Sequence, residues 1–268
     1  PVGTNVRGKG TDIQSVEILD GKDIITNIEY KKGKLFFKTA KERSGNAMVA
    51  VKDKDGVILW SWHIWVVKDN SFMINKKSGT FMDRDLGASE EGGTGALYQW
   101  GNKNYNYTNR KIAQATLSEA IKEPGFIASD DPNSYEWFES DETYTTFNLW
   151  ENETLFAKLN PAPKGWTIPE STVFETIKSN ETYKYDDSEK SMTYNEEKVK
   201  IGYENFAQPN GTMANMGQFR YIYYWLKNTY REKPRYVQFQ YYSPTSQTTL
   251  TITSTRQSYG LCIRLIKE

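Results

Sequence analysis

Residues 47–67 read AMVAVKDKDGVILWSWHIWVV and contain the clearest folding signal in the chain. Two apolar runs flank a polar stretch at residues 53–56, which ends in an Asp-Gly pair. Asp-Gly between two strand-like runs is a strong signal for a β-hairpin, because both residues tolerate the backbone angles of a tight turn. The sequence therefore predicts two antiparallel strands that meet at this turn.

The second run contains WSWHIW at residues 60–65, where three tryptophans surround the only histidine of the chain. Side chains alternate along a strand, and both resulting faces are largely apolar, so we expect a strand covered on both sides. A metal site needs several His or Cys ligands and a nucleophilic triad needs His as its base, so one His in a strand favours neither. We predict structural roles for His63 and five tryptophans: Trp60, Trp62, Trp65, Trp100 and Trp166.

Three short motifs have a functional and a structural interpretation. Residues 53–56 resemble the start of a calcium loop, but the twelfth position is Ile64 instead of the bidentate Glu, so a hairpin turn is favoured. Asp83 and Asp85 could act as paired carboxylates, although two acids among 34 are not a specific signal. Residues 208–210 read Gln-Pro-Asn, which occurs in sugar-binding calcium sites but also in ordinary turns. No metal, cofactor or catalytic residue is predicted.

Composition disfavours nucleic acid as a partner, and it excludes an internal disulfide and a membrane helix. The chain of 268 residues has 34 basic and 34 acidic side chains and no basic stripe, which disfavours nucleic acid. Its single cysteine, Cys262, excludes an internal disulfide. No stretch approaches the roughly 20 apolar residues of a membrane helix. The chain begins at Pro1, not Met, and we expect a mature or trimmed fragment whose targeting signal lies elsewhere.

The pattern along the chain predicts three segments. Residues 1–11 are Gly-rich and read as a flexible tail or linker. Residues 12–68 read as a small all-β, sandwich-like domain, or as the end of a larger sandwich. Residues 71–268 form a second domain with mixed elements. Within it we predict helices at 112–122 and from Pro169 onward, loops at 126–165 and 180–200, and strands from 219 to 266.

The late strands hold the most suggestive residues for binding. Tyr and Trp give large, rigid contacts, and amide side chains give adaptable hydrogen bonds. An ordinary sheet with aromatic cross-strand pairs would have the same composition, so both interpretations stay open. The candidate ligand-binding residues are Tyr221, Tyr223, Tyr224, Trp225, Tyr230, Arg231, Tyr236, Gln238, Gln240 and Tyr242.

Seven blocks of sequence occur in the order typical of one known family. They are MDRDLGA at 82–88, ALYQWGNK at 96–103, EAIKEPGFI at 119–127, NLW at 148–150, PAPKGWTIPESTVFETI at 161–177, YYWL at 223–226 and GLCIRLIKE at 260–268. The chain resembles the Fibrobacter succinogenes major paralogous domain, which is C-type-lectin-like. The preceding residues 45–66 resemble the segment that leads into this domain in Bacteroides fimbrillin-type and pilus-tip-like surface adhesins.

Some positions depart from the family pattern. Thr167 follows Gly-Trp where a basic or polar residue is usual, and the second cysteine often found before Pro-Gly-Trp is replaced around Ala162. Cys262 is therefore left without that partner, and no disulfide is carried over. The Arg-Cys-Val that closes the family's domain is replaced by Cys-Ile-Arg-Leu at residues 262–265.

The resemblance implies an α+β, C-type-lectin-like fold with a twisted antiparallel sheet, two helices and long loops. It implies a non-catalytic adhesin of a bacterial cell surface, anchored to the outer membrane or carried on a pilus, that binds a glycan or a surface protein. Two alternatives stay open: a pilus or fimbria subunit with protein–protein interfaces only, and a carboxylate-dependent enzyme acting on glycans. Fold alone does not decide between them.

Overall fold

The computed structural model describes most of the chain. The described residues are 12–68, 74–76, 78–93, 95–105, 111–112, 116–128, 137–138, 149–180, 183–186, 191–194, 197–200, 206–214, 220–241 and 248–268. The predicted tail at 1–11 and the candidate residue Tyr242 lie outside these ranges.

Strands far outnumber helices. The strands are β1 (Ser15–Asp20), β2 (Ile25–Lys31), β3 (Lys34–Thr39), β4 (Gly45–Lys52), β5 (Ile58–Val66), β6 (Ile74–Lys76), β7 (Gly79–Phe81), β8 (Tyr98–Gln99), β9 (Lys111–Ile112), β10 (Phe126–Ile127), β11 (Trp166–Thr167), β12 (Tyr183–Asp186), β13 (Ser191–Tyr194), β14 (Glu197–Lys200), β15 (Phe206–Ala207), β16 (Met213–Ala214), β17 (Arg220–Tyr230), β18 (Lys233–Tyr241), β19 (Thr249–Ser254), β20 (Gly260–Leu261) and β21 (Ile266–Lys267). The helices are α1 (Leu117–Ala120), α2 (Glu153–Leu159) and α3 (Ser171–Asn180).

The hairpin predicted from residues 47–67 is confirmed. β4 and β5 pair antiparallel, from Gly45 opposite Val66 to Lys52 opposite Ile58. The Asp53 carboxylate closes the turn by accepting two backbone N–H groups, each at 2.9 Å. An Asp side chain that bonds the backbone two residues ahead is a common turn device. Its oxygen is thus used within the turn, as the hairpin interpretation expects.

The first part of the chain forms two small layers. β4 lies between β1 and β5 in one sheet, and β2 and β3 form a separate hairpin. Between the layers lies a core of Ile24, Ile25, Ala47 and Val49, with Trp62 and other partly buried side chains packed around it. Both layers turn one apolar face inward, which is how a sandwich buries its strands.

The later part is built around the sheet β17–β18–β19. Its antiparallel register joins Tyr221 to Gln240 and Trp225 to Tyr236, and β19 continues from Thr249 opposite Gln240. The other sheets of the described residues are short and have the strand orders β11-β21-β7-β6, β16-β15-β20-β8, β12-β13-β14 and β10-β9. All of these pairings are antiparallel except β9 with β10.

Buried tryptophans link separate segments of the core by hydrogen bonds from their ring N–H groups. Trp225 donates to the Tyr98 carbonyl oxygen at 2.7 Å, and Trp100 donates to the Leu226 carbonyl oxygen at 2.8 Å. Trp137 in turn donates to the Trp100 carbonyl oxygen at 2.7 Å. A buried indole N–H that lacks an acceptor is costly, so these bonds fix where each ring lies. The rings therefore connect three distant parts of the chain in a specific arrangement.

Several local predictions need correction. Of the helix predicted at 112–122, the described residues contain α1, whereas Ile112 lies in β9 and pairs with β10. Residues 126–165, predicted as loops, contain α2, whose N-cap Asn152 accepts the Leu155 N–H. Residues 180–200, also predicted as a loop, hold the meander β12–β13–β14.

The helix predicted from Pro169 is confirmed as α3, which begins at Ser171. Its predicted apolar face is also present, since Phe174 and Ile177 are buried. The architecture is mostly antiparallel β with few helices, which is compatible with the predicted α+β class. The division into 12–68 and 71–268 stays a prediction, and one core cluster includes Met48 together with Tyr98 and Trp100.

Candidate ligand-binding face

Alternation along β17 divides the predicted binding residues into two groups. Ile222, Tyr224 and Leu226 lie in the core cluster that also contains Val237 and Phe239. The alternate side chains of β17 point to the opposite face of the sheet, because successive residues of a strand do so. We call that opposite face, formed by alternate residues of β17, β18 and β19, the tyrosine–glutamine face.

The prediction that Tyr224 and Trp225 contact a ligand is wrong. They are 2% and 0% exposed, respectively, so neither can meet a molecule in solution. The Trp225 indole is held by the Tyr98 carbonyl oxygen. The Tyr224 hydroxyl lies 3.4 Å from a carboxylate oxygen of buried Asp85. Tyr223 is buried as well, and it lies with Trp225 in the large core cluster on this side of the sheet.

The tyrosine–glutamine face consists of three cross-strand rows. Each row runs from an aromatic side chain on β17, across β18, to a threonine on β19. The rows are Tyr221 with Gln240 and Thr249, Tyr223 with Gln238 and Thr251, and Trp225 with Tyr236 and Thr253. In the first two rows the side chains become more exposed from β18 to β19. Gln238 and Gln240 are half-buried, and Thr249 and Thr251 are exposed. None of these nine side chains carries a formal charge.

Contacts among these side chains hold them in place. Gln240 Nε2 donates to the Tyr221 hydroxyl at 2.9 Å, and Gln238 Nε2 lies 3.4 Å from Gln240 Oε1. The Tyr221 and Tyr223 rings stack with centroids 5.7 Å apart, and Tyr236 meets Tyr223 edge-on at 5.8 Å. Preorganised side chains lose less conformational entropy on binding. The face is therefore suited to recognition without rearrangement.

The hydroxyls of Tyr223 and Tyr236 stay protonated at ordinary pH. Burial raises the pKa of Tyr223 above its usual value, and neighbouring Tyr236 and Tyr221 raise it further. Burial, and then Tyr259, also raise the pKa of Tyr236. A neutral phenol both donates and accepts a hydrogen bond. The face thus offers donors and acceptors of the kind that hydroxyl-rich ligands complement.

Tyr230 and Arg231 lie away from this face, at the tip of the β17–β18 hairpin. Tyr230 is 56% exposed, and the Arg231 guanidinium lies 5.3 Å from its ring centroid. Arg235 also faces this ring, at 5.9 Å. Because Tyr230 pairs with Lys233 at the turn and Tyr221 pairs with Gln240 nine positions earlier on β17, the two groups are at opposite ends of the strand. The predicted set therefore does not form one site.

His63 forms a structural bridge, as its position in a covered strand predicts. Its Nε2 donates to Asn46 Oδ1 at 2.8 Å, since the Asn46 amide nitrogen already donates to the Gly87 carbonyl oxygen. Its Nδ1 accepts the Tyr98 hydroxyl at 3.0 Å. Burial, and then the charge of Lys103, lower the His63 pKa from 6.5 to about 3. The ring is thus neutral and both nitrogens are occupied, which leaves none for proton transfer or metal binding.

Lys103 completes the polar cluster beside His63. Its ammonium donates to the Ser61 carbonyl oxygen at 2.8 Å, the Ser61 hydroxyl at 3.0 Å and Asn104 Oδ1 at 3.1 Å. It also lies 4.5 Å from the centroid of the Trp60 ring. Burial lowers the Lys103 pKa from 10.5 to about 7. Three acceptors match its three protons, so we interpret the amine as a structural bridge between β5 and the segment after β8.

The acids singled out in the sequence are both in buried ion pairs. Asp85 accepts the Nε–H of Arg264, whose NH1 donates to the Met82 carbonyl oxygen at 3.1 Å. Asp83 accepts two bonds from Arg84, at 2.8 and 3.1 Å. Both carboxylates thus have guanidinium partners inside the protein. These pairs give the enzyme alternative no support.

The remaining motifs are structural where the chain is described. The Gln-Pro-Asn stretch is a turn, in which Asn210 Oδ1 accepts the Thr212 N–H at 2.9 Å and Gly211 N–H reaches the Gln208 carbonyl oxygen. Cys262 is a buried free thiol. Within the described residues, no group of three or more His, Cys, Asp or Glu is arranged to hold a metal ion.

The predicted structural tryptophans are divided between the two parts of the chain. Trp65 donates to the Ala88 carbonyl oxygen at 2.9 Å, and Trp60 meets Lys103, so both contact the later part. Trp62 packs against Tyr30 in the first part, with ring centroids 6.3 Å apart. Trp100 is buried in the large core cluster, and Trp166 packs at its edge. All five side chains are thus packed into the protein interior or its margin.

Two exposed members of the face were missed from the sequence. Thr249 and Thr251 were not singled out, because short polar strands such as TTLTITS are common in sheets. Their alternation with Leu250 and Ile252 was the available signal, since it places every second threonine on one face. Phe206 and Tyr259 also frame the face, and the Phe206 ring meets Tyr223 edge-on at 5.6 Å.

Comparison with known proteins does not assign the chain to a family. No family model, curated protein or solved structure matches the chain. Among the residues that the structure describes, no helix has the length and apolar composition needed to cross a bilayer.

Proposed function

We propose that this chain is a non-catalytic binding protein of a Bacteroides-like bacterial surface, whose later part has a C-type-lectin-like fold and binds a neutral glycan. The tyrosine–glutamine face is the observation that carries the proposal. It presents rings, amides and hydroxyls in register on one side of a sheet. The resemblance to lectin-like adhesin domains supplies the surface location, with an outer-membrane or pilus attachment.

The chemistry of the face favours a sugar over a charged ligand. Seven of its nine side chains are not buried, all seven are uncharged, and the protein as a whole has zero formal net charge. Aromatic rings pack on the apolar faces of pyranose rings, and amide and hydroxyl groups bond the sugar hydroxyls around them. Tyr221 offers a half-buried ring, and Gln238 and Gln240 offer the nearest amides. The mechanism is packing plus hydrogen bonding, without a covalent step.

A glycan array with the intact chain identifies the ligand, and calorimetry with the best ligand tests the face. The variant Gln238→Ala/Gln240→Ala removes two hydrogen-bonding amides at about 0.5–1.5 kcal/mol each, which weakens binding by roughly tenfold. Tyr221→Ala removes a rigid aromatic contact of hot-spot type, at about 2 kcal/mol.

Gln14→Ala is the matched control, because Gln14 is an exposed glutamine just before β1. It should bind like the unaltered chain. Equal affinities for all three variants, with intact thermal unfolding, would place the ligand elsewhere and reject the proposal. Binding that depends only on Tyr230 and Arg231 would assign the function to the hairpin tip.

A further inference from the structure

The β2–β3 hairpin is the most basic exposed element of the first part. Residues 25–39 contain four lysines and one glutamate, in a chain whose formal charge is zero. Three of the lysines, Lys31, Lys32 and Lys34, surround a turn in which Lys32 and Gly33 have φ angles of 51° and 75°. All four lysines are exposed. Positive charge is therefore concentrated on this hairpin and around its turn.

Two phenylalanines accompany these lysines. Phe36 and Phe37 are 51% and 41% exposed, although phenylalanine is normally among the more buried residue types. Pairing places Phe37 opposite Ile28, on the face turned toward the first core, and Phe36 opposite Glu29, on the outer face. Lys34 and Lys38 share the outer face with Phe36 because they are two positions away along the strand.

The position of β3 exposes both rings together. β3 pairs with β2 alone among the described strands, so its other edge is open. An approach along this edge meets Phe36 on one side of the strand and Phe37 on the other. The lysines of the turn and Lys38 lie on either side of the pair in sequence. A surface that accepts apolar rings below a layer of anions would complement all of these groups.

We propose that the β3 edge, formed by Lys31, Lys32, Lys34, Phe36, Phe37 and Lys38, docks on an anionic lipid bilayer. The phenylalanines enter the headgroup–acyl boundary, and the ammonium groups contact lipid phosphates. A polysaccharide fits this edge less well, because rings on opposite faces of one strand cannot stack on one sugar chain. They also lack the polar atoms found on the tyrosine–glutamine face. The two surfaces are on different sheets, and neither depends on the other.

Flotation of the intact chain with lipid vesicles tests the proposal. Vesicles of equal parts phosphatidylcholine and phosphatidylglycerol should carry the protein upward, and vesicles of phosphatidylcholine alone should leave it behind. Binding should fall at least tenfold when salt is raised to about 1 M, where the Debye length is about 3 Å. The variants Phe36→Ser/Phe37→Ser and Lys31→Gln/Lys32→Gln/Lys34→Gln should each lose binding.

Controls separate this edge from general surface properties. Met213→Ser changes an exposed apolar residue elsewhere, and Lys158→Gln removes an exposed lysine of α2, so both should float like the unaltered chain. Thermal unfolding checks that every variant is folded. The proposal is overturned if anionic vesicles are not bound, or if the phenylalanine and lysine variants float normally. It is also overturned if the edge instead mediates self-association in sedimentation, or binds only an acidic polysaccharide.

Discussion

The strands β5 and β17 are both crowded with aromatic residues, yet they differ in what is left for a partner. On β5, alternate side chains contact different clusters, and His63 and Ser61 have their polar atoms bonded within the protein. On β17, Tyr224 belongs to one core cluster and Tyr223 and Trp225 belong to another, while Tyr221 stays half-buried. Aromatic density alone therefore does not mark a binding site. What matters is whether a neighbouring strand leaves rings and amides accessible.

Breaking the Arg264–Asp85 ion pair, which contacts Tyr224 on the buried face of β17, should have the largest effect on stability. Arg264→Met leaves Asp85 buried without its guanidinium, and removing one partner of a buried ion pair costs about 3–5 kcal/mol. Urea unfolding measures the loss. The double variant Arg264→Met/Asp85→Leu should recover much of it, because replacing both charges removes the unpaired one. A loss below about 0.5 kcal/mol for the single variant would mean that the pair is not buried as described.

The stability of the β5 region depends on His63 being neutral in the folded protein. Because the folded-state pKa is lowered from 6.5 to about 3, only the unfolded chain takes up this proton as pH falls through that interval. The contribution of His63 is thus complete above pH 6.5 and declines as pH decreases toward 3. His63→Gln should cost about 1–3 kcal/mol at neutral pH, through two disturbed hydrogen bonds.

Unfolding curves across this pH interval provide the check for His63. The difference between the unaltered chain and His63→Gln should shrink with acidification, since only the unaltered chain loses the contribution. A constant difference would contradict a neutral, buried ring. Comparing the two proteins directly cancels the titration of carboxylates that both share.

Lys103 gives a pH dependence of the same sign as His63, but in an alkaline interval. Its folded-state pKa of about 7 lies below the usual 10.5, so the unfolded chain binds more protons between these values. Stability should therefore rise as pH increases from about 7 to 10.5. Because solvent reaches part of this side chain, the rise is on the order of 1–2 kcal/mol.

The variant Lys103→Met should lack this alkaline rise when unfolding is followed by circular dichroism. Lys158→Met is the matched control, since Lys158 is exposed on α2. An identical rise in Lys103→Met would show that another group is responsible for it.

Substitutions on the tyrosine–glutamine face should cause the smallest change in stability. Gln238→Ala/Gln240→Ala should alter the free energy of unfolding by no more than about 0.5 kcal/mol per site, because both amides are partly open to water. Differential scanning calorimetry measures this. A loss of several kcal/mol would mean that the amides belong to the fold, and the comparison with β5 would no longer hold.

The sequence by itself determined the periodic features. Side chains alternate along residues 261–265, and Leu261, Ile263 and Leu265 lie in one core cluster while Cys262 lies in another. Asp-Gly fixed the β4–β5 hairpin, since turn chemistry is local. By contrast, the missed α2 and the wrong helical prediction at Ile112 lie where the sequence signal was weak and irregular.

Tertiary structure decided which aromatic residues are accessible. Tyr224 and Tyr221 are chemically the same and three positions apart, yet one contacts buried Asp85 and the other borders an open face. Alternation places the two rings on opposite faces of β17, and the face of Tyr224 is covered by Asp85 and Arg264, which are distant in sequence and meet only in the fold. Burial depends on what packs against a strand from elsewhere in the chain, and the strand's own residues do not specify it.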